Sequence, residues 1–271
     1  MSAPGAERYV IRGGAAGAAR LAVLARAWLP TTDALFDRMG VGVEQHCLDL
    51  GCGGGDVSLA LARRVGPRGR VVGVDMDGVK LDLARQAAAD EGLTNVRFVQ
   101  ADVYDLSDSE AYDLAYCRFV LQHLSRPVDV LRAMWRSVRP GGVLAVEDSD
   151  FEAAFCWPPN ESHAFWVTRY QDVLRRHGGD PVTGRKLLTL FLAAGVPTPE
   201  LTLAQLATRD GDAKTLPALT IQATADAMVS AGVATGEEVA AALAGLEKFT
   251  ADPATVVGSP RLHQAWTRRP R

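Results

Sequence analysis

The chain has 271 residues, of which 48% are apolar and 23% charged, and its formal net charge is −3. Such a composition excludes long disorder, and 29 basic against 32 acidic residues leave no electrostatic footprint for a nucleic-acid partner. Four scattered cysteines (Cys47, Cys52, Cys117, Cys156) make no C-x-x-C pair and no zinc spacing, which fits a reducing, cytoplasmic setting better than a disulfide framework.

In chain order, residues 13–29 are Ala-rich and free of acids, superficially like a leader. Arg20 and Arg26 interrupt any apolar run, so the segment reads as part of the mature fold. Residues 14–40 are expected to form two helices broken at Pro30, the second capped by Thr31 or Thr32. No apolar run reaches about 18 residues, so no membrane span is expected. From residue 46 to 148 the pattern alternates. Apolar strands are expected at 46–50, 70–74, 96–100, 112–116 and 143–147. Helices are expected at 56–65, 79–91 and 127–138, the last stopped by Pro140-Gly141-Gly142. Strands without polar alternation, joined by helix-length connections, predict a buried parallel sheet. Beyond it, 151–179 is rich in aromatics. A helix is expected at 185–194, strands at 201–207 and 262–267, and helices at 213–232 and 237–249.

Asp49-Leu50-Gly51-Cys52-Gly53-Gly54-Gly55 follows the first strand and opens a helix. Glycines there let the backbone turn tightly and approach a ligand. The dinucleotide fingerprint would need a third glycine at position 56. The chain has Asp56, a carboxylate where a pyrophosphate would meet the helix N-terminus. No P-loop lysine is present either. The loop reads instead as D-x-G-x-G-x-G.

Four further segments stand in register with it: Val72-Gly73-Val74-Asp75-Met76, Ala101-Asp102-Val103, Val120-Leu121-Gln122-His123-Leu124, and Arg139-Pro140-Gly141-Gly142. Together these resemble the class I S-adenosylmethionine-dependent methyltransferases. The small-molecule enzymes of ubiquinone and menaquinone biosynthesis and of natural-product pathways are the nearest type. The resemblance covers about residues 46–150. It implies a Rossmann-like doubly wound α/β fold with a mostly parallel seven-stranded sheet and helices on both faces. Residues 1–45 would be an N-terminal helical lid, and 46–271 the cofactor-binding domain with cap insertions at about 151–180 and 211–250.

The resemblance also implies roles. Gly51, Gly53 and Gly55 would shape the cofactor turn, and Asp49 would face the cofactor's ammonium, directly or through water. Asp75 would accept from both ribose hydroxyls. Met76 would pack on the adenine, with Asp102 and Val103 meeting its edge. An aspartate at a strand end can equally cap the next helix. Tyr9 would cover the sulfonium, and Arg12 or Arg118 would meet the methionyl carboxylate. Cys117 and Arg118 stand where catechol-type enzymes hold a metal, so no metal is expected.

Methyl transfer is an in-line displacement with a neutral leaving group, so alignment and water exclusion matter most. A base is needed only where the acceptor must lose a proton. His123 is a candidate base or loop-orienting group. The cluster Glu147, Asp148 and Asp150 offers carboxylates at a strand end, with Glu147 and Asp150 as catalytic candidates. Trp157, Trp166 and Tyr170 are candidates to wall a small-molecule acceptor. An N/D-P-P-Y/F motif does not follow the fourth strand, which counts against a nucleic-acid substrate. The helices over 213–249 suit either a lid or a homodimer surface.

Overall fold

The computed structural model describes residues 15–271. The expectations placed on Tyr9 and Arg12 lie outside the described residues. Helix α1 (Ala15–Met39) is followed by β1 (His46–Leu50), α2 (Asp56–Val65), β2 (Arg70–Asp75), α3 (Gly78–Asp90) and β3 (Val96–Gln100). Next come β4 (Tyr112–Arg118), α4 (Pro127–Ser137), β5 (Val138–Asp150), β6 (Phe155–Trp157) and α5 (Glu161–Arg176). The chain closes with α6 (Leu187–Ala193), β7 (Glu200–Ala204), β8 (Ala207–Thr208), α7 (Leu216–Ser230), α8 (Gly236–Ala251), β9 (Val256–Gly258) and β10 (Arg261–Arg268).

The main sheet has seven strands in the order β3-β2-β1-β4-β5-β10-β7. The first five are mutually parallel, and β10 is antiparallel to both its neighbours. Period-two alternation sends successive side chains to opposite faces. Leu48, Val72, Ala115 and Leu144 pack with α4 and α6 through Val130, Leu131, Met134 and Phe191. Cys47, Val71, Leu114 and Ala145 pack with α1 and α2 through Leu35, Phe36, Val57 and Leu61. Both faces are therefore dry, as the lack of polar alternation predicts. The strand order reverses between β1 and β4, the point at which open α/β sheets leave a crevice at the strands' carboxyl ends. A separate apolar cluster joins Phe151, Trp166, Tyr170 and Leu174 to Ile221, Met228 and Leu246. That cluster ties α5, α7 and α8 together.

Three expected boundaries move. Residues 15–39 form one helix that runs through Pro30 instead of breaking there. An interior proline costs about 3 kcal/mol. Trp28 and Thr32 are buried close to it, and Leu35 and Phe36 farther along, and burying a large apolar side chain contributes roughly 1.5–3 kcal/mol. The packed face outweighs the lost backbone bond, and the Thr31 hydroxyl donates to the Trp28 carbonyl beside the proline (2.8 Å). The fifth strand begins at Val138 rather than Val143 and takes in Pro140-Gly141-Gly142 as an irregularity, where its pairing with β4 shifts register. The strand expected at 201–207 divides. Residues 200–204 stay in the main sheet, and Ala207–Thr208 join β6 and β9 in a small antiparallel sheet. Gln205 makes the break by donating its Nε2 to the carbonyls of Ala153 (2.8 Å) and Ser259 (2.9 Å). Among the described residues, no helix is long and apolar enough to cross a membrane.

Candidate active site

A cavity of about 500 Å³ opens at the carboxyl ends of β1, β2 and β4, roofed by α1, α5 and α7. One half of its wall is acidic. Asp49, Asp56, Asp75 and Asp102 all line it. The glycine turn that follows Asp49 is pinned to β2, because the N–H groups of Gly51 and Cys52 both donate to the Val74 carbonyl (2.7 and 2.9 Å). Gly51 has φ 74°, and a Cβ there would lie 2.4 Å from Val120. Gly53 has φ 54°, and its Cβ position is open apart from Leu21 of α1 at 3.9 Å. Only glycine combines these left-handed conformations with a clear approach to the backbone.

Asp75 ties two turns together. Its Oδ2 accepts from Gly53 N and its Oδ1 from Asp77 N, both at 2.9 Å. A carboxylate has about four acceptor sites, so each oxygen retains one for a ligand hydroxyl. Asp49 is buried, with Ser58 Oγ donating to its Oδ2 (2.6 Å). Desolvation first, and the neighbouring charges of Asp75 and Asp56 after it, push its pKa up to about 6 despite the Ser58 bond and Arg118. A cationic ligand would stabilise this acid cluster, so the donor set fits a sulfonium or ammonium group. Affinity for S-adenosylmethionine should hold above pH 6 and fall by up to about tenfold per unit below it, as Asp49 takes up a proton. Asp49→Asn should flatten that profile in a calorimetric pH series.

Asp102 serves as a cap, its Oδ1 accepting from Tyr104 N (3.0 Å), and it also lines the cavity beside Val103 and Met76. Met76 is half exposed at the rim, its carbonyl held by Gln100 Nε2 (3.1 Å). Arg118 lines the wall, donating from Nη1 to Thr32 Oγ1 (2.9 Å). The next residue, Phe119, takes φ 57°, a left-handed conformation rare for an aromatic side chain and a mark of stored backbone strain. It lines the cavity against Trp28 at a centroid distance of 6.0 Å.

The other half of the wall is mostly apolar. Leu24, Trp28, Phe151, Trp166, Tyr170 and Leu216 are among its residues. His123 stands where the halves meet, and burial drives its pKa down to about 3, with Arg20 and Lys80 adding to the effect. The ring is therefore neutral near pH 7. It can accept a hydrogen bond, but it is a weak base, since general bases work best with a pKa near the working pH. Gln122 joins the same loop to β5: its N–H donates to Asp148 Oδ2 (3.0 Å) and its Oε1 accepts from Ser149 Oγ (2.7 Å).

Three expectations are corrected. Glu147 does not line the cavity. It is fully buried under α1, accepting from Thr32 Oγ1 (2.6 Å), Gln264 Nε2 (2.5 Å) and the Tyr116 hydroxyl. Asp150 is held by Arg185 in a two-pronged pair (2.8 and 2.6 Å) and accepts from Glu152 N (3.2 Å), also off the cavity. Trp157 is 66% exposed on the small sheet and walls nothing. Gly55, at φ 84°, shapes the turn as expected but does not itself line the cavity. A Cβ there would meet Ala84 at 2.7 Å and Phe98 at 3.0 Å, so its glycine serves the packing of α2 against α3 and β3. Arg20, Lys80, Phe119, Gln122 and Thr220 also line the cavity and are not among the sequence-predicted site residues. The left-handed position at Phe119 has no sequence signature. Arg20 was visible only as a cation within an apolar helix face.

A family model described as a methyltransferase domain matches residues 43–178. An uncharacterized 37.1 kDa transposon protein of Streptomyces fradiae is 32% identical over 213 residues, covering 75% of this chain and 60% of that protein. A ubiquinone/menaquinone biosynthesis C-methyltransferase of Idiomarina loihiensis is 37% identical over 117 residues, covering 42% of this chain and 47% of that enzyme. The chain thus spans 60% or less of the length of these curated relatives. Among solved structures, the [4+2]-cyclase SpnF aligns with a TM-score of 0.53 at 20% identity, covering 89% of this chain and 80% of that one. That likeness concerns the fold alone.

Proposed function

The chain belongs to the S-adenosylmethionine-dependent methyltransferase family, and on that premise we propose that it methylates a small-molecule, secondary-metabolite-like acceptor at nitrogen, oxygen or carbon. The observation that carries the reading is the two-sided cavity, an acidic glycine-turn half meeting an apolar aromatic half at His123. When bound, the cofactor supplies an electrophilic methyl group on a cationic sulfur, leaving S-adenosylhomocysteine. Asp75 would hold the ribose hydroxyls, Met76, Asp102 and Val103 the adenine, and Asp49 with the Gly51–Gly53 turn the methionyl end. Arg118 would meet the methionyl carboxylate. His123, neutral, would accept a hydrogen bond from the acceptor's O–H or N–H and so orient the lone pair that attacks.

Trp166 and Tyr170 would wall the acceptor, and α1 with α5 and α7 would cap it and exclude water. Alignment, rather than a strong base, is then the protein's main contribution. The four cysteines are free, which agrees with a reducing compartment. We place the protein in the cytoplasm on that ground, without a nucleic-acid partner; α7 belongs to the cap, and α8 is the surface we assign to a homodimer.

Transfer of labelled methyl from S-adenosylmethionine to a metabolite panel and to a peptide panel tests this reading. Labelled small molecules support it, and turnover of peptides alone refutes it. His123→Ala should leave cofactor affinity within about twofold while lowering turnover by about 10–100-fold, at or below the low end of the roughly 10²–10⁴-fold that a general base contributes, because a weakly basic ring chiefly orients the acceptor. Wild-type turnover in that variant would remove His123 from the mechanism.

A further inference from the structure

Among the described residues, three Arg or Lys side chains line the cavity: Arg20, Lys80 and Arg118. Lys80 has the Asp77 carboxylate 3.5 Å from its Nζ. Arg118 sits close enough to Asp49 and Asp56 to lower the pKa of both. Arg20 differs. It is buried on α1, yet among the described residues its guanidinium makes no ion pair, and its single hydrogen bond runs from Nε to Thr220 Oγ1 (3.1 Å).

That bond is directional. The Thr220 hydroxyl spends its own proton on the Leu216 carbonyl (2.7 Å), so its lone pair faces Arg20. With Nε fixed, the two terminal nitrogens carry four N–H donors with no protein acceptor among the described residues. A buried charge without a counter-charge costs stability, and a fold retains one where a ligand completes it.

The neighbours of Arg20 place it on the acceptor side. It contacts α7, in the cap, and its charge is felt by His123. Asp49 and Asp56, on the glycine-turn side, feel Arg118 instead. Of the cavity-lining residues on the two helices that Arg20 joins, most are apolar, with Leu21, Leu24, Ala25 and Trp28 on α1 and Leu216 and Pro217 on α7.

Resting on the methyltransferase reading, we propose that the acceptor is an apolar molecule bearing a carboxylate, and that Arg20, oriented by Thr220, receives that carboxylate as a two-pronged pair. The carboxylate anchors the molecule and leaves a different atom for the methyl group. A planar guanidinium with both terminal nitrogens available matches carboxylate geometry better than an ammonium would.

The test uses the whole protein saturated with S-adenosylhomocysteine. Benzoate, trans-cinnamate, 2-naphthoate and decanoate are titrated beside their primary amides into wild type, Arg20→Met and Arg20→Lys. The expectation is that at least one carboxylate binds wild type about tenfold or more tightly than its amide, as loss of a charge-assisted pair implies. That preference should vanish in Arg20→Met and partly survive in Arg20→Lys. Because a buried uncompensated charge is removed, Arg20→Met should unfold at the same temperature as wild type or higher, so loss of binding cannot be blamed on misfolding. Wild type that binds no carboxylate in preference to its amide overturns the proposal, as does a preference that Arg20→Met retains. If Arg20→Met instead weakens S-adenosylhomocysteine about tenfold, Arg20 serves the cofactor's own carboxylate and the acceptor assignment is wrong. Failure of wild type to bind S-adenosylhomocysteine would overturn the methyltransferase reading itself, and this inference with it.

Discussion

Asp75→Ala is expected to weaken S-adenosylhomocysteine binding by about 1–3 kcal/mol, roughly fivefold to more than hundredfold in dissociation constant. Two losses combine. The ribose diol would lose a charged acceptor, and the Gly53 and Asp77 N–H groups would lose the carboxylate that fixes both turns. Asp75 is half-buried at the end of β2 and packs in no apolar cluster, so the fold itself should survive. Asp75→Asn separates the contributions, since the amide keeps one acceptor oxygen and the shape but loses the charge. It should fall between wild type and Asp75→Ala in a calorimetric titration. Unchanged affinity in Asp75→Ala would remove the residue from the cofactor site.

Glu147→Ala should act on stability and leave the site's chemistry alone. Glu147 is fully buried, and its two oxygens accept from Thr32, Tyr116 and Gln264. Truncation takes the shared acceptor from three neutral donors in a dry core, and at about 1–3 kcal/mol for each one left unsatisfied a loss of about 3–5 kcal/mol is expected. For a chain of this size that corresponds to a fall on the order of 10 °C in thermal midpoint. Glu147→Gln keeps an acceptor oxygen and the volume and should recover much of the loss. A Glu147→Ala protein as stable as wild type but with reduced turnover would show that the carboxyl group takes part in the reaction.

The contrast between these residues shows what the sequence makes legible. Asp75 ends an apolar strand just before a turn, and a strand end at the crevice side of a parallel sheet is readable from local pattern alone. The glycine turn is readable for the same reason, although local pattern does not separate ligand approach at Gly51 and Gly53 from packing against Ala84 and Phe98 at Gly55. Glu147 has equally good local credentials as an acid late in a strand. Its fate is decided by Thr32, 115 positions away, which brings α1 down over that face. Asp150 is likewise decided by Arg185, 35 positions on. Arg20 becomes interpretable only beside Thr220, 200 positions later. The five parallel strands and their helices follow from periodicity. The cap and the acceptor half of the cavity depend on such distant pairs, which no window of sequence contains. The helix through Pro30 makes the same point, since a strong local stop was overridden by the burial of Trp28, Leu35 and Phe36.

Sharing a fold with a [4+2]-cyclase is a reminder that the architecture does not by itself choose a reaction. The acid cluster and the glycine turn therefore bear most weight, and their ligand is the point to measure. Titration of wild type with S-adenosylhomocysteine, repeated with Asp75→Ala, addresses it most directly. Saturable binding of one ligand per chain, weakened about tenfold or more by the substitution, is the predicted result. Absence of binding to the folded wild type, or identical binding by both proteins, would contradict the assignment of this cavity.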